Sequence, residues 1–129
     1  MIAVDTNVII RLLTKDNDAQ YRAAHKLFSA ENIFIADTVI LEVEWVLRYA
    51  YEFEPEQICA AFRKLFGLKN VRLANAQIVA QAIGWHESGL DFADALHLAG
   101  SQQHTTLKTF DDKFIKRAKN LTPCTVEQP

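Results

Sequence analysis

Glycine and proline are scarce in this chain. Four Gly and three Pro in 129 residues are too few for the turns of a mostly β protein. Cysteine is scarcer still. Cys59 and Cys124 stand far apart and outside any metal-ligand spacing, so they are expected as buried or incidental thiols in a reducing cytosol. No apolar run approaches the ~20 residues of a membrane helix. The N-terminal MIAVDTNVIIRLL lacks a basic flank and is interrupted by Asp5. A secretory signal is therefore not expected, and a cytoplasmic location is. Positive charge is not in excess either. The formal net charge is −2 and the sequence pI is about 6.1, which argues against a passive, basic nucleic-acid coat. A nuclease stays compatible, because bound cations offset a local acidic cluster. Internal repeats, low-complexity stretches and Gly/Ser linkers are also missing, so one domain spanning 1–129 is expected.

What is present is the pattern of an ordinary globular protein, half hydrophobic and 23% charged. Ile58, Ala61, Phe62, Leu65 and Phe66 recur at helical spacing, with Pro55 suited to the first turn and Gly67 to the end. Tyr21, Ala24, Leu27 and Phe28 mark an earlier helix. Residues 38–51 and 75–88 read as two more, and Phe92, Ala95, Leu96 and Ala99 as another that ends near Gly100. Short β-branched runs lie between them: Ile2–Val4, Ile33–Ala36, Val71–Leu73, Thr105–Thr109 and Thr122–Val126. Strands alternating with helices predict an α/β fold, a parallel sheet covered on both faces. Ligands of such sheets bind beyond the carboxyl ends of the strands.

Carboxylates fall at those ends. Asp5 follows the first apolar run and precedes a helical Val8–Leu13. It is either a helix N-cap or, if Thr6 or Asn7 does the capping, a ligand. Glu42 has Val39, Val43 and Val46 around it and is expected to project from the apolar side of its helix. A carboxylate buried there is costly unless it is paired or bound to metal. Glu44 has an ordinary partner in Arg48 at i+4. Asp91 and Asp94, in GLDFADALHLA, share one helical stripe, where Asp91 suits a cap and Asp94 the first turn. Asp111 comes directly off Thr105–Phe110, and Asp112 should point elsewhere. Clustered carboxylates raise one another's pKa, and the usual remedy is a hard divalent cation, Mg²⁺ or Mn²⁺, with oxygen ligands.

Four segments together carry a family signature: VDTNVIIRLLTKD at 4–16, ADTVILEVEWVLRYAYEF at 36–53, GLDFADALHLA at 89–99 and TFDDKF at 109–114. In order and spacing the chain resembles PIN-domain proteins, most closely VapC-type toxin ribonucleases of bacterial toxin–antitoxin pairs. The resemblance implies a three-layer α/β/α sandwich with a central, mainly parallel sheet. It implies metal-dependent endoribonuclease activity, with the four acidic positions of the family at Asp5, Glu42, Asp94 and Asp111 as catalytic metal ligands. It also implies a homodimer and an antitoxin whose C-terminal segment blocks the acidic cleft.

The mechanism expected on this basis is in-line attack of metal-activated water on an RNA phosphodiester. His97, three residues after Asp94, is either a packed or surface histidine or a support for a ligating carboxylate. His25, His86 and His104 show no ligand pattern. Lys108, Lys113, Lys116, Arg117 and Lys119 either track phosphates or form a solvated helix face. Arg11 and Arg48 are candidates to flank the cleft. Trp45, Tyr49, Tyr51, Phe62 and Phe66 are expected in the core, with an exposed partner surface as the alternative. Two other functions use the same acidic edge. A Mg²⁺-dependent phosphatase would want a phosphate-binding loop, and no Gly-rich loop is present. A non-catalytic module would dock a basic peptide or RNA.

Overall fold

The computed structural model describes residues 1–129 and divides them into two compact units, Met1–Ala76 and Gln77–Pro129. In the first unit, strand β1 (Ile2–Ala3) leads into helix α1 (Thr6–Thr14), followed by α2 (Asp18–Ala30), β2 (Ile33–Ile35), α3 (Asp37–Tyr49), α4 (Pro55–Phe66) and β3 (Val71–Leu73). The strands form a parallel sheet in the order β1-β2-β3. Ile2 pairs with Ile33, and Ile33 with Val71. The second unit carries α5 (Ala76–Glu87), α6 (Phe92–Ser101), β4 (Thr106–Lys108), α7 (Asp112–Ala118) and β5 (Thr125–Glu127). Its two strands also pair in parallel, Leu107 opposite Val126. The α/β class and the parallel pairing are those that the alternation of strands and helices predicts.

Local chemistry explains the helix ends. Asn17 caps α2 by accepting from the Gln20 N–H at 2.9 Å. Pro55 opens α4, and the Gln57 side chain accepts from the Glu54 N–H at 2.8 Å. Gly67 ends α4, where a Cβ would meet the Arg63 carbonyl at 2.9 Å. In the first unit α1 packs on α2 and α3, and α3 on α4. Ile9, Ile33, Ile35, Ile40, Leu47 and Phe62 are fully buried there, each worth roughly 1.5–3 kcal/mol of burial.

Several expectations need correction. α3 buries Ile40, Val43, Glu44 and Leu47, the i, i+3, i+4, i+7 stripe of one helical face. Glu42 falls off that stripe and is exposed. Glu44 is the buried carboxylate, 1% exposed. Arg48 donates to it from both Nε at 2.7 Å and Nη2 at 3.2 Å, so the charge is paired as burial requires. Trp45 and Tyr49 lie outside the core at 56% and 60% exposure, their rings 5.0 Å apart and the Arg48 guanidinium 4.6 Å from the Tyr49 ring. Phe62 is buried as expected. The last strand begins three residues later than Thr122, at Thr125. Both cysteines are buried, and neither forms a disulfide.

Candidate active site: two groups of carboxylates

In the first unit, β1 hands its chain to α1 through Val4 and Asp5. Asp5 is the N-cap itself, its Oδ1 accepting from the Thr6 N–H at 2.8 Å. Of the two alternatives left open by the sequence, the cap is the one observed, and neither Thr6 nor Asn7 takes that role. The cap uses one oxygen, and a carboxylate has a second for another partner. Thr6 has a different task. It is buried, and its hydroxyl donates to Oε1 of Glu42, 36 positions along the chain. The structure thus brings Asp5 and Glu42 to adjacent residues of one helix start. Thr6 is the site residue that sequence reasoning missed. The one available signal was a threonine at a helix start beside an acidic residue, and caps share that signal.

In the second unit, Asp91 caps α6 and accepts from the Asp94 N–H at 3.3 Å, as its place after Gly89-Leu90 suggests. Asp94 follows in the first turn, half-buried. Burial, and then the charges of Asp91 and Asp111, raise its carboxyl above the ordinary aspartate value. The neighbouring His97 acts in the opposite sense. Asp111 caps α7, accepting from the Phe114 N–H at 3.1 Å. Asp112 faces other company and accepts from Gln128 Nε2 at 2.9 Å. The structure therefore brings Asp94 and Asp111 together, and it gives Asp112 a different partner.

These carboxylates line an open cavity of about 400 Å³, with Leu90, Asp91, Asp94, Asp111 and Phe114 on its walls together with Lys113 and Arg117. Arg117 is held in place by donating from Nη1 to the Gly89 carbonyl at 3.1 Å, at a glycine with φ of +117° that other residues adopt only under strain. Lys113 and Arg117 lie one helical turn apart on α7, so both reach one side. The remaining cations of the cluster are placed elsewhere. Lys108 pairs with Glu127 at 3.3 Å, and Lys116 lies in the last turn of α7 with Lys119 as its C-cap. Arg11 and Arg48, the candidates to flank the cleft, form ion pairs with Asp16 at 3.2 Å and Glu44 at 2.7 Å. His97 is exposed. His86 is buried with Nδ1 2.7 Å from the Leu90 carbonyl, a contact that braces the turn leading to Asp91.

In neither unit do three or more His, Cys, Asp or Glu side chains converge closely enough to form a ready-made metal site. The donor chemistry nevertheless fits a hard divalent cation. Every acidic group is an oxygen donor, and Asp94 stands against two like charges that a cation would neutralise. No helix is long and apolar enough to cross a membrane.

Comparison with known proteins adds a family. The family model described as PIN domain matches residues 2–120. No curated protein matches the sequence. Among solved structures, the chain is similar to VapC20 of Mycobacterium tuberculosis, described as a toxin that cleaves the sarcin–ricin loop. The identity is 20% and the TM-score 0.43, over 88% of this chain and 92% of that one.

Proposed function

The chain belongs to the PIN-domain family, and on that premise we propose that it is an endoribonuclease, the toxin of a toxin–antitoxin pair, dependent on Mg²⁺ or Mn²⁺. The observation that carries this reading is the cavity in which Asp91, Asp94 and Asp111 share walls with Lys113 and Arg117. Carboxylates alone repel a phosphodiester. Carboxylates that hold a cation beside two basic side chains attract one.

Asp5 and Glu42 in the first unit, and Asp94 and Asp111 in the second, are the metal-binding carboxylates of this proposal. A bound ion would lower the pKa of an attacking water and stabilise charge on the phosphate. The protein's own residues do the rest. Thr6 orients Glu42 through its hydroxyl. Asp91 holds the backbone of Asp94. Lys113 and Arg117 bind a phosphate oxygen of the substrate, with Arg117 pre-oriented by Gly89. An antitoxin that blocks the acidic cavity, self-association as a homodimer and a cytoplasmic location belong to the same proposal. The exposed Trp45–Tyr49 pair supports a partner surface on α3.

The test is cleavage of a mixed cellular RNA pool by purified protein, with Mg²⁺ or Mn²⁺ against EDTA, alongside Asp5→Ala and Asp94→Ala. Discrete metal-dependent cuts that disappear in both variants are expected. An absence of cuts from folded, antitoxin-free protein overturns the reading in favour of a binding module.

A further inference from the structure

Phe110 is the most exposed large apolar side chain in the chain, 80% open to solvent. Leaving a phenylalanine in water forgoes roughly 1.5–3 kcal/mol of burial. A lack of apolar surroundings does not explain it, because Phe114, four residues further on in the chain, is buried. Nor is the segment loose. The Thr109 N–H donates to the Glu127 carbonyl at 3.0 Å, and the Asp111 N–H donates to Thr109 Oγ1 at 3.1 Å. Asp111 also caps α7 through its side chain. The ring is therefore carried on backbone pinned on both sides, directly before a carboxylate of the cavity that Lys113 and Arg117 also line.

We propose that Phe110 is a substrate-binding residue whose ring is the stacking platform for one base of the RNA gripped by Lys113 and Arg117; the proposal rests on the ribonuclease reading. Phe110 stands next to cavity-lining Asp111 and three residues before Lys113 in the chain, and an exposed aromatic supplied together with basic side chains fits single-strand binding, in which the cations hold phosphates and the ring takes a base face. The setting also disfavours a second copy of the chain as the occupant. Lys108, Asp111, Asp112 and Lys113 surround Phe110 in sequence, whereas the centre of a protein–protein interface is depleted of charge. The pinned backbone means that little conformational freedom is lost when a base settles on the ring.

The test uses the full chain. Binding of fluorescein-labelled, mixed-sequence single-stranded RNA decamers is read by anisotropy in an Asp94→Asn background that does not cut. KM for cleavage of the same RNAs is read in the otherwise unaltered chain. Phe110→Ala is expected to weaken binding and raise KM by roughly 5- to 100-fold, and Phe110→Trp to restore both. Equal affinity and equal KM for Phe110→Ala and the parent overturn the proposal and leave the ribonuclease reading intact. The proposal also falls if Phe110→Ala changes the mass in solution while RNA affinity holds, because the ring then serves contact between copies. No RNA binding by the parent together with no cleavage by the unaltered chain removes the ribonuclease reading and this proposal with it.

Discussion

The Thr6 hydroxyl donates to the Glu42 carboxylate, so a buried residue at the start of α1 orients an exposed carboxylate on α3. Thr6→Val keeps the shape and removes the donor. It should cost about 1 kcal/mol, the net worth of a typical hydrogen bond, and lower metal-dependent RNA cleavage at least several-fold. Thr6→Ser should retain most of both. Urea unfolding and cleavage rates compare the two variants, and identical behaviour would remove Thr6 from the site.

The two glutamates of α3 should separate function from stability. Glu44→Ala leaves Arg48 without its buried partner and should destabilise by about 2–3 kcal/mol, below the ~3–5 kcal/mol of a fully buried pair because Arg48 is partly exposed. Glu42→Gln should shift stability by less than about 1 kcal/mol while abolishing cleavage. A Glu42→Gln protein that cuts RNA at the parental rate would refute its place among the metal ligands.

Asp94 should make the metal-free protein less stable. Its carboxyl is raised above the unfolded value of 3.8 by burial and by Asp91 and Asp111, so the folded state disfavours the charged form. That penalty is full at neutral pH, shrinks as pH falls through the raised value, and is gone below 3.8. In EDTA at neutral pH, Asp94→Asn should melt roughly 1–2 °C higher than the parent, from a like-charge cost of about 0.2–0.5 kcal/mol. The gap should close in acid. Mg²⁺ or Mn²⁺ should raise the melting temperature of the parent more than that of the variant. Equal metal-induced shifts would count against Asp94 as a ligand.

Lys113 and Arg117 should carry the salt dependence of RNA binding. Replacing both with Ala should reduce the log–log salt slope by about 1.4, at ~0.7 per phosphate contact on a single strand. Lys116→Ala should change it little, as should Lys108→Ala, whose ammonium already pairs with Glu127. Titrations across a salt series decide this. A slope that drops equally for all four positions would mean a diffuse basic surface rather than a fixed pair.

Much of the frame was legible in the sequence because it depends on neighbours within a turn or a strand. The period of Ile58, Phe62 and Leu65 marks α4, and Pro55 and Gly67 bound it as read. Asp5 at the end of β1, Asp91 and Asp94 at the start of α6, and Asp111 after β4 are each set by a strand end or a cap a few residues away. α7 is too short for periodicity to reveal, with only Phe114 and Ala118 buried.

Tertiary structure decided what spacing leaves open. α3 offers overlapping apolar stripes through Val39, Ile40, Val43, Val46 and Leu47, and period alone does not say which of them its neighbours cover. Packing against α1 and α4 selected the stripe that buries Glu44 and leaves Glu42 and Trp45 outside. The bonds from Thr6 to Glu42 and from Arg117 to Gly89 span 36 and 28 positions. No local rule relates such partners, because only the folded chain brings them within hydrogen-bonding distance. Phe110 follows the same logic: its position at the end of the run Thr105–Phe110 does not reveal whether its ring is covered, and its exposure is known only once the surrounding elements have packed without it.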